Sequence, residues 1–471
     1  MVTLCWAMAD GVVAEGAEEG LGDETEPAQT VTDWSATFAD DVPDPTAALA
    51  EGDPLATEPG SENGVPAALA LPTSEEIPTS LVVPAGLEGV AEDDLFTDAL
   101  EPVVFDDAEG GRMPTFMLPS GLTFDLGFET SLVFDDNIFL SEEKVSDTVF
   151  RFQPDLAIAF GDGRAKQEGY IEVAYRPTLN VFFENSEENS FDEDLTGEVQ
   201  VRKSKVTILG SGGFQKLSEA TTEVAGRFDR QVYSAALEIA YAVTEKVGIG
   251  LRGSYEGYRY DDKTVFENSD NYGAELLVGY IISPKTEIAL GYGYGELDFE
   301  KSGKQSYHQA FLDAEWQPTA KIAVSGRVGA EYRDLITETQ TIPLLEGGVR
   351  YQPREKTQIA FRVYSREETS PYLGGESFTA TGFEVDFSQG IGSRFTALLE
   401  AGYEHADYNG GLDPVLNERT DDIWFTRVAL AYQLREWLAF EAFYLYQQND
   451  SNGGGFGYEN NQAGMAAKVI F

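Results

Sequence analysis

The amino-acid sequence predicts an all-β protein, a transmembrane antiparallel up-and-down β-barrel of about 18 strands that follows a disordered acidic N-terminal arm. Three observations favour this fold class. Apolar and polar residues alternate with a period of two from residue 121 onward, long and short connections alternate, and aromatic residues recur at every second strand end. Barrel strands alternate in this way because one face meets lipid and the other meets the lumen.

Composition excludes several classes of protein. The chain of 471 residues has a formal net charge of −50, from 82 acidic and 32 basic residues. Such acidity excludes nucleic acid as a partner, because the chain would repel phosphates rather than release counterions. No apolar run approaches the roughly 18 residues of a membrane helix, so a helical membrane protein is also excluded. The single cysteine, Cys5, provides neither a disulfide framework nor a thiolate metal site. We expect no cofactor and no bound metal.

Residues 1–9 have the features of the end of a secretory signal peptide. Ala7-Met8-Ala9 forms an A-x-A pattern directly before Asp10, as a cleavage site does. We predict that residues 1–9 are the remnant of a signal peptide whose true start lies upstream. The alternative is a chance match, and a mature protein that retains Met1 would support that alternative.

Residues 10–112 differ in composition from the rest of the chain. Up to Arg112 there are 26 acidic residues, one basic residue and ten of the 20 prolines. Such a segment buries too little apolar surface to offset its ordering entropy, so we predict disorder. We interpret the arm as an acidic periplasmic spacer. The alternatives are that its short apolar islands dock on a partner, or that the arm plugs the lumen from below.

The segment 121–471 is the predicted barrel, and its strands fall into two groups of nine by the length of the connection that follows. Strands followed by long polar connections are predicted near residues 122–134, 167–183, 204–217, 246–260, 285–297, 320–334, 355–367, 393–408 and 435–448. Strands followed by short turns, or by the chain end, are predicted near residues 148–160, 190–202, 229–243, 269–282, 304–317, 342–353, 378–389, 420–433 and 460–471. Short periplasmic turns and long outer loops are the plan of a transmembrane barrel, so both termini are predicted to be periplasmic.

The strands followed by short turns or by the chain end are here called the descending strands. Almost every one of them ends with an aromatic residue in the outward phase of the alternation. These aromatic residues are Phe160, Tyr241, Tyr280, Trp316, Tyr351, Phe387, Tyr432 and Phe471, and only the second descending strand departs, with Val201. Amphipathic rings at this position suit the level of the lipid headgroups. A soluble β-propeller has no reason to repeat them. The final aromatic, Phe471, also resembles the C-terminal signal that the barrel-assembly machinery reads.

The first two predicted strands carry a motif that resembles a known family. The run Phe134-Asp135-Asp136-Asn137-Ile138-Phe139-Leu140, followed by Ser146-Asp147-Thr148 and then Pro154, resembles the putative β-barrel porin type 2 family of Gram-negative outer-membrane proteins. The resemblance implies an outer-membrane barrel, and its frequent link to exopolysaccharide export implies polysaccharide as a candidate cargo.

The inward phase of the strands carries charges of alternating sign about six or seven residues from the turns. These residues are Arg252, Glu275, Arg327, Glu346, Arg362, Glu384, Glu400, Arg427 and Glu441. We predict that they line the pore, either as a constriction that sorts solutes by charge or as cross-strand ion pairs that stiffen the wall. One strand, residues 289–295, has only Ala and Gly inward. This lining either eases strand curvature, which we favour, or leaves room for a loop to fold inward.

The remaining polar residues give no catalytic pattern. The acidic outer loops lack the spacing of a calcium loop, and we interpret them as solvated, with divalent cations or carbohydrate as alternative ligands. His308 and His405 are isolated in the sequence, and we interpret both as structural. A hydrolase based on Glu404 and His405 is a further alternative.

These observations predict a porin-like channel of the bacterial outer membrane, without enzymatic activity, for passive passage of hydrophilic solutes or a polysaccharide. The expected partners are membrane lipid, lipopolysaccharide and the assembly machinery. The alternative function is a structural or surface-binding barrel with a closed lumen. The sequence leaves the oligomeric state open.

Overall fold

The computed structural model describes residues 122–161, 169–224, 226–372, 374–409, 411–412 and 418–470. The predicted signal remnant, the predicted arm and Phe471 lie outside the described residues. Strand segments dominate the described chain, and each pairs in antiparallel fashion with its neighbours in one sheet. The segments are β1 (Leu122–Asp135), β2 (Asp147–Gly161), β3 (Gly169–Tyr175), β4 (Thr178–Phe182), β5 (Ser190–Lys203), β6 (Val206–Ala220), β7 (Arg227–Ala242), β8 (Val247–Tyr260), β9 (Ser269–Ser283), β10 (Thr286–Phe299), β11 (Gly303–Thr319), β12 (Ile322–Asp334), β13 (Thr339–Arg354), β14 (Thr357–Thr369), β15 (Ser377–Ile391), β16 (Phe395–Asn409), β17 (Thr420–Arg435), β18 (Leu438–Ser451) and β19 (Tyr458–Ile470).

The sheet closes on itself, because β1 pairs with β19 from Gly127 opposite Ile470 to Asp135 opposite Gln462. β3 and β4 are the two halves of one spanning strand, since β2 and β5 each pair with both of them. The break falls at Arg176-Pro177, where proline lacks the N–H that a central strand would donate. The barrel therefore has 18 spanning strands, which confirms the predicted fold class.

The outer surface is apolar and has an aromatic belt at each end. Six strands carry two outward rings eight residues apart, which corresponds to about 27 Å along a strand at ~3.4 Å per residue. The pairs are Phe152 and Phe160, Tyr233 and Tyr241, Tyr272 and Tyr280, His308 and Trp316, Phe395 and Tyr403, and Trp424 and Tyr432. Exposed Leu, Ile and Val side chains fill the band between the belts, as lipid contact requires.

The two ends of the barrel differ in their connections. The end at which β1 begins, here called the turn end, has connections of two to four residues in the seven turns that the structure describes. The opposite end, here called the loop end, carries connections of three to eleven residues. Within the described residues, no helix is long and apolar enough to cross a membrane.

Candidate functional site

The inner wall holds the predicted charges in a network of ion pairs. Arg252 on β8 lies in register between Glu238 on β7 and Glu275 on β9. Its Nε donates to Glu238 Oε2 at 2.9 Å, and its Nη1 lies 3.4 Å from Glu275 Oε2. The guanidinium therefore joins three adjacent strands.

Arg327 on β12 extends the same network. Its Nε and Nη2 donate to the two carboxylate oxygens of Asp313 on β11, at 2.7 and 3.0 Å. Its Nη1 also reaches Glu275 on β9, at 3.3 Å. The side chain thus bridges over β10 and β11, which explains why a chain of charges can continue past a strand that carries no charge at this level.

The small residues of β10 make this bridge possible. A Cβ atom at Gly291 would lie 2.1 Å from the ring of Phe311 on β11, and one at Gly295 would lie equally close to the ring of Tyr307. Phe311 in turn lies under the Arg327 guanidinium, 3.8 Å from it. The glycines therefore leave room for the rings of the neighbouring strand, a third explanation beside the two considered from the sequence.

Two further groups of charges complete the wall. Arg362 on β14 donates from Nε to Glu384 Oε2 on β15 at 2.9 Å. Arg427 on β17 lies between Glu400, at 3.3 Å, and Glu441, to which its Nη2 also donates. Arg427 is only 2% exposed, so the loss of its hydration is offset by paired carboxylates on both sides.

All nine predicted pore-lining residues lie on the inner face, and eight of them join ion pairs. Glu346 is the exception. It lies in register with Arg327, yet its Oε2 is buried and no described residue donates to that atom. The sequence analysis missed Glu238 and Asp313, although both lie in the inward phase and directly opposite a predicted arginine.

The register keeps these charges at a similar height. Arg327 lies opposite Glu346, whereas Arg362 lies opposite Gly348, two residues further along β13 toward the turn end. The strands of a closed barrel are tilted and staggered, so a ring at one height must step along successive strands. From β7 to β18 the wall therefore carries three separate groups of paired charges at a similar height.

The loops of the loop end fold inward over the lumen. Arg419, before β17, donates from Nη1 to the backbone carbonyl of Glu223, between β6 and β7, at 3.0 Å. Eight spanning strands separate these two loops in one direction and ten in the other, so the contact crosses the mouth. Arg419 is 1% exposed, pairs with Asp421 and lies 3.8 Å from the ring centroid of Phe456.

The same cover continues through the loop between β14 and β15. The ring of Tyr372 contacts Phe456 edge-on and also contacts Phe266 from the loop between β8 and β9. The backbone N–H of Glu267 donates to the carbonyl of Pro371 at 3.0 Å. We call Arg419, Tyr372, Phe266 and Phe456 the loop lid.

The motif that carried the family resemblance forms a clasp at the closure of the barrel. Asp135 at the end of β1 accepts hydrogen bonds from Asn460 Nδ2 at 3.1 Å and Gln462 Nε2 at 3.0 Å on β19. Asn137, which is fully buried, donates from Nδ2 to the carbonyl of Glu459. Asp136 accepts from the backbone and side-chain amides of Asn461. We call these residues the seam clasp.

The second part of the motif secures a loop. Asp147 accepts backbone hydrogen bonds from Phe183, Glu184 and Asn185, which begin the connection between β4 and β5. The motif therefore holds backbone at the loop end rather than lining the lumen.

The two histidines lie on the outer face. Tyr292 Oη and His308 Nδ1 are 2.7 Å apart, and His405 Nδ1 lies 3.0 Å from Asp422 Oδ1. Glu404 belongs to the opposite, inward face of β16, where it accepts from Tyr364. Glu404 and His405 are thus separated by the wall. In the part of the chain that the structure describes, no group of three or more His, Cys, Asp or Glu residues is arranged to hold a metal ion.

The comparisons with known proteins find the same family in a part of the chain that does not include the motif. The family model described as putative beta-barrel porin 2 matches residues 323–471, which confirms the resemblance over that part of the chain. No curated protein matches the sequence significantly.

Several solved structures align with about three quarters of the chain. OpdQ of Pseudomonas aeruginosa aligns with 10% identity and a TM-score of 0.41, over 74% of this chain and 98% of its own. OccAB3 of Acinetobacter baumannii aligns with 10% identity and a TM-score of 0.42, over 74% and 99%. OpdK of Pseudomonas aeruginosa aligns with 10% identity and a TM-score of 0.40, over 74% and 99%.

The closed barrel, its apolar outer band and the family match identify a porin-like barrel integral to the outer membrane. Its outer face therefore meets lipid and lipopolysaccharide.

Proposed function

We propose that this protein is a channel that lets hydrophilic solutes, or a polysaccharide, diffuse passively through the lumen. The observation that carries the proposal is the set of paired charges from β7 to β18 on the inner face of a closed 18-stranded wall. A barrel of this size is wide enough for an aqueous interior, and charged rings sort solutes by charge. No cofactor takes part in such a mechanism.

The pairing defines how these charges would act. Each arginine pairs with a carboxylate on another strand, but the wall residues named above comprise seven carboxylates and four arginines, so the lining combines local dipoles with an excess of negative charge. Solutes with both donor and acceptor groups, such as sugars, suit this lining. We further propose that the turn end faces the periplasm, that both termini lie there, and that Phe471 is the signal for the barrel-assembly machinery.

Single-channel recording of the refolded full-length chain in a planar bilayer tests the proposal. We expect stable conductance steps, with a reversal potential in a salt gradient that shifts toward cation preference in Arg327→Glu and toward anion preference in Glu384→Arg. Glu245→Gln, an exposed position in the turn between β7 and β8, is the matched control and should leave the reversal potential unchanged. A correctly folded barrel that never conducts would overturn the proposal.

The alternative function, a structural or surface-binding barrel with a closed lumen, is favoured by the loop lid. The contact from Arg419 to Glu223 crosses the mouth and covers the path that a solute would take. Single-channel recording of Arg419→Ala beside the unsubstituted protein separates the two functions. Conductance by both proteins supports the channel, whereas an unsubstituted protein that is silent beside a conducting Arg419→Ala variant supports a lumen closed by the loop lid.

A further inference from the structure

The turn end carries a repeated basic residue. In six consecutive turns, from the turn between β5 and β6 to the turn between β15 and β16, the residue directly before the next strand is Lys or Arg. We call these six residues the basic collar. They are Lys205, Lys246, Lys285, Lys321, Lys356 and Arg394.

The collar residues share one backbone geometry. Each backbone carbonyl accepts a hydrogen bond from the following descending strand, as from Ala242 to Lys205 and from Gln352 to Lys321, both at 2.8 Å. The six side chains consequently leave the barrel at equivalent points around the rim. Lys205, Lys246, Lys321 and Arg394 are exposed.

Three collar residues donate to backbone carbonyls rather than to carboxylates. Lys321 Nζ donates to the carbonyl of Pro353 at the end of β13 at 2.9 Å, Lys285 Nζ donates to Pro318 at the end of β11, and Lys356 Nζ donates to Gly392 between β15 and β16. Carbonyl oxygens are neutral, so these contacts supply no counter-ion. No collar residue forms an ion pair with a carboxylate of the described residues, whereas the inner-wall arginines do.

An acidic segment of the same chain enters at this end. β1 begins at Leu122, opposite Phe160 at the turn-side belt, so the chain before it approaches from the turn end. Up to Arg112 that chain carries 26 acidic residues and one basic residue. A coil of about 100 residues has an end-to-end distance of roughly 50–60 Å, which is enough to reach around the rim.

Among the described residues, the opposite end has no repeated basic position of this kind. Its exposed Lys263 and Lys304 pair with Glu300, Glu296 and Asp298, and Lys301 donates to the backbone carbonyl of Lys263. Complementary potentials attract over about one Debye length, which is ~8 Å at physiological salt and ~30 Å at 0.01 M. The charge pattern thus directs the arm to the collar.

We propose that the basic collar is the docking surface for residues 10–112 of the same chain. The arm is held by charge across several turns rather than in one pocket, and its presence concentrates negative charge at the turn-side entrance of the lumen. The inference is independent of whether the lumen conducts, because it concerns the rim alone.

Distance measurement between two spin labels in the full-length chain tests the proposal. With Cys5→Ser as background, one label is placed at Ser61→Cys in the arm and the other at Ser393→Cys in a collar turn. We expect short distances at low salt, shifting to longer values in 1 M salt, where the Debye length is ~3 Å. A reference pair replaces the turn label with Gly454→Cys, an exposed loop-end position at which an added Cβ meets nothing within 4 Å. This pair should show longer distances at low salt than the turn pair.

Matched charge variants supply the control. Neutralising Lys205, Lys246 and Lys321 to Gln should lengthen the distance from the arm to the turn, whereas neutralising Lys144, Lys263 and Lys304 to Gln at the loop end should not. Heat-modifiable mobility on gels verifies the fold, and the salt series on the unsubstituted chain remains decisive if a variant does not fold.

Distances that respond to neither salt nor collar neutralisation would overturn the proposal. A collar that serves anionic lipid headgroups instead would leave the distance from the arm to the turn unchanged in neutral detergent, which is also a contrary result.

Discussion

The inner wall contains a three-residue arrangement of glycine, aromatic ring and arginine that recurs around the barrel. Gly291 on β10 leaves room for the ring of Phe311 on β11, and the ring supports the guanidinium of Arg327 on β12. On the other side of the barrel, Gly464 leaves room for Phe443, over whose ring Arg427 lies at 5.3 Å. The ring covers backbone that the glycine leaves bare and also fixes the height of the charge.

A side chain at Gly291 should therefore disturb both the ring and the ion pairs. We expect Gly291→Val to lower the free energy of unfolding by about 1–3 kcal/mol, because the Phe311 ring must leave its place. Urea unfolding in lipid vesicles provides the measurement. Gly454→Ala, at a position with open space around it, should leave the free energy of unfolding unchanged. In a Phe311→Ala background, Gly291→Val should lower the free energy of unfolding by less. An unchanged cost in that background would contradict the packing argument.

The arginine between two carboxylates gives a second prediction at this scale. Arg427→Met leaves Glu400 and Glu441 without their partner, and we expect a loss of about 3–5 kcal/mol, as for other buried pairs that lose one member. The triple variant Arg427→Met/Glu400→Gln/Glu441→Gln carries no uncompensated charge. Urea unfolding should show it to be more stable than Arg427→Met alone. If the triple variant were less stable than Arg427→Met, packing rather than uncompensated charge would determine the loss of stability.

At the scale of elements, the seam between β1 and β19 differs from the other strand pairs of the barrel in how its two strands are joined. Every other strand pair shares a connection that holds its partners together, whereas β1 and β19 meet only by closure. The seam clasp supplies hydrogen bonds at the strand pair that lacks such a connection. Its residues make the motif Asp135-Asp136-Asn137 a structural signature rather than a binding signature.

The pKa of Asp136 predicts how the seam responds to acid. Burial alone would raise this pKa, but hydrogen bonds from Asn461 and the Lys144 ammonium outweigh it and lower the pKa below the ordinary value of 3.8. The Asp136 carboxylate therefore stabilises the folded protein fully above pH 3.8. This stabilisation is lost as the pH falls through the lowered pKa of Asp136.

We expect Asp136→Asn to unfold at lower urea concentration than the unsubstituted protein at pH 7, and this difference to shrink at pH 2. Urea midpoints at both pH values measure it. Asp261→Asn, an exposed carboxylate between β8 and β9, is the control and should change little at either pH. A difference that persists at pH 2 would show that the carboxylate charge is not responsible.

Strand positions could be predicted from the sequence, because the period-two pattern and the connection lengths leave little freedom. The break at Arg176-Pro177 was not predicted, because a single proline in an alternating run does not show whether the strand continues or is interrupted. Glu238 and Asp313 were not predicted, because the charges were sought at a fixed number of residues from the turn. In a staggered barrel, residues at one height lie at different distances from the turn. Arg419 and Glu223 could not be paired in advance, because a contact across the mouth leaves no local pattern.

At the scale of the whole molecule, a solute that enters from the loop end would meet the loop lid first and the charged wall second. The wall is rigid, because its charges are paired across strands. The lid instead consists of hydrogen bonds and ring contacts between loops, and the contact across the mouth ends on the Arg419 guanidinium. Access to the lumen is therefore more sensitive to the lid than to the wall.

Removal of the Arg419 side chain should open the mouth. We expect Arg419→Ala to increase the single-channel open probability and the uptake rate of sugars into vesicles, with the barrel still folded. Lys263→Ala, an exposed side chain in the loop between β8 and β9, is the control and should leave both unchanged. Equal uptake by the Arg419 variant and the unsubstituted protein would show that the lid does not limit passage.

The two aromatic belts have a consequence for the choice of bilayer. A spacing of about 27 Å along strands tilted by ~35–45° leaves roughly 20 Å along the membrane normal. That is shorter than the ~30 Å hydrocarbon core of an average bilayer and suits the thinner outer membrane. Hydrophobic mismatch should therefore slow insertion into long-chain lipids, and short-chain phosphatidylcholines should be the better host.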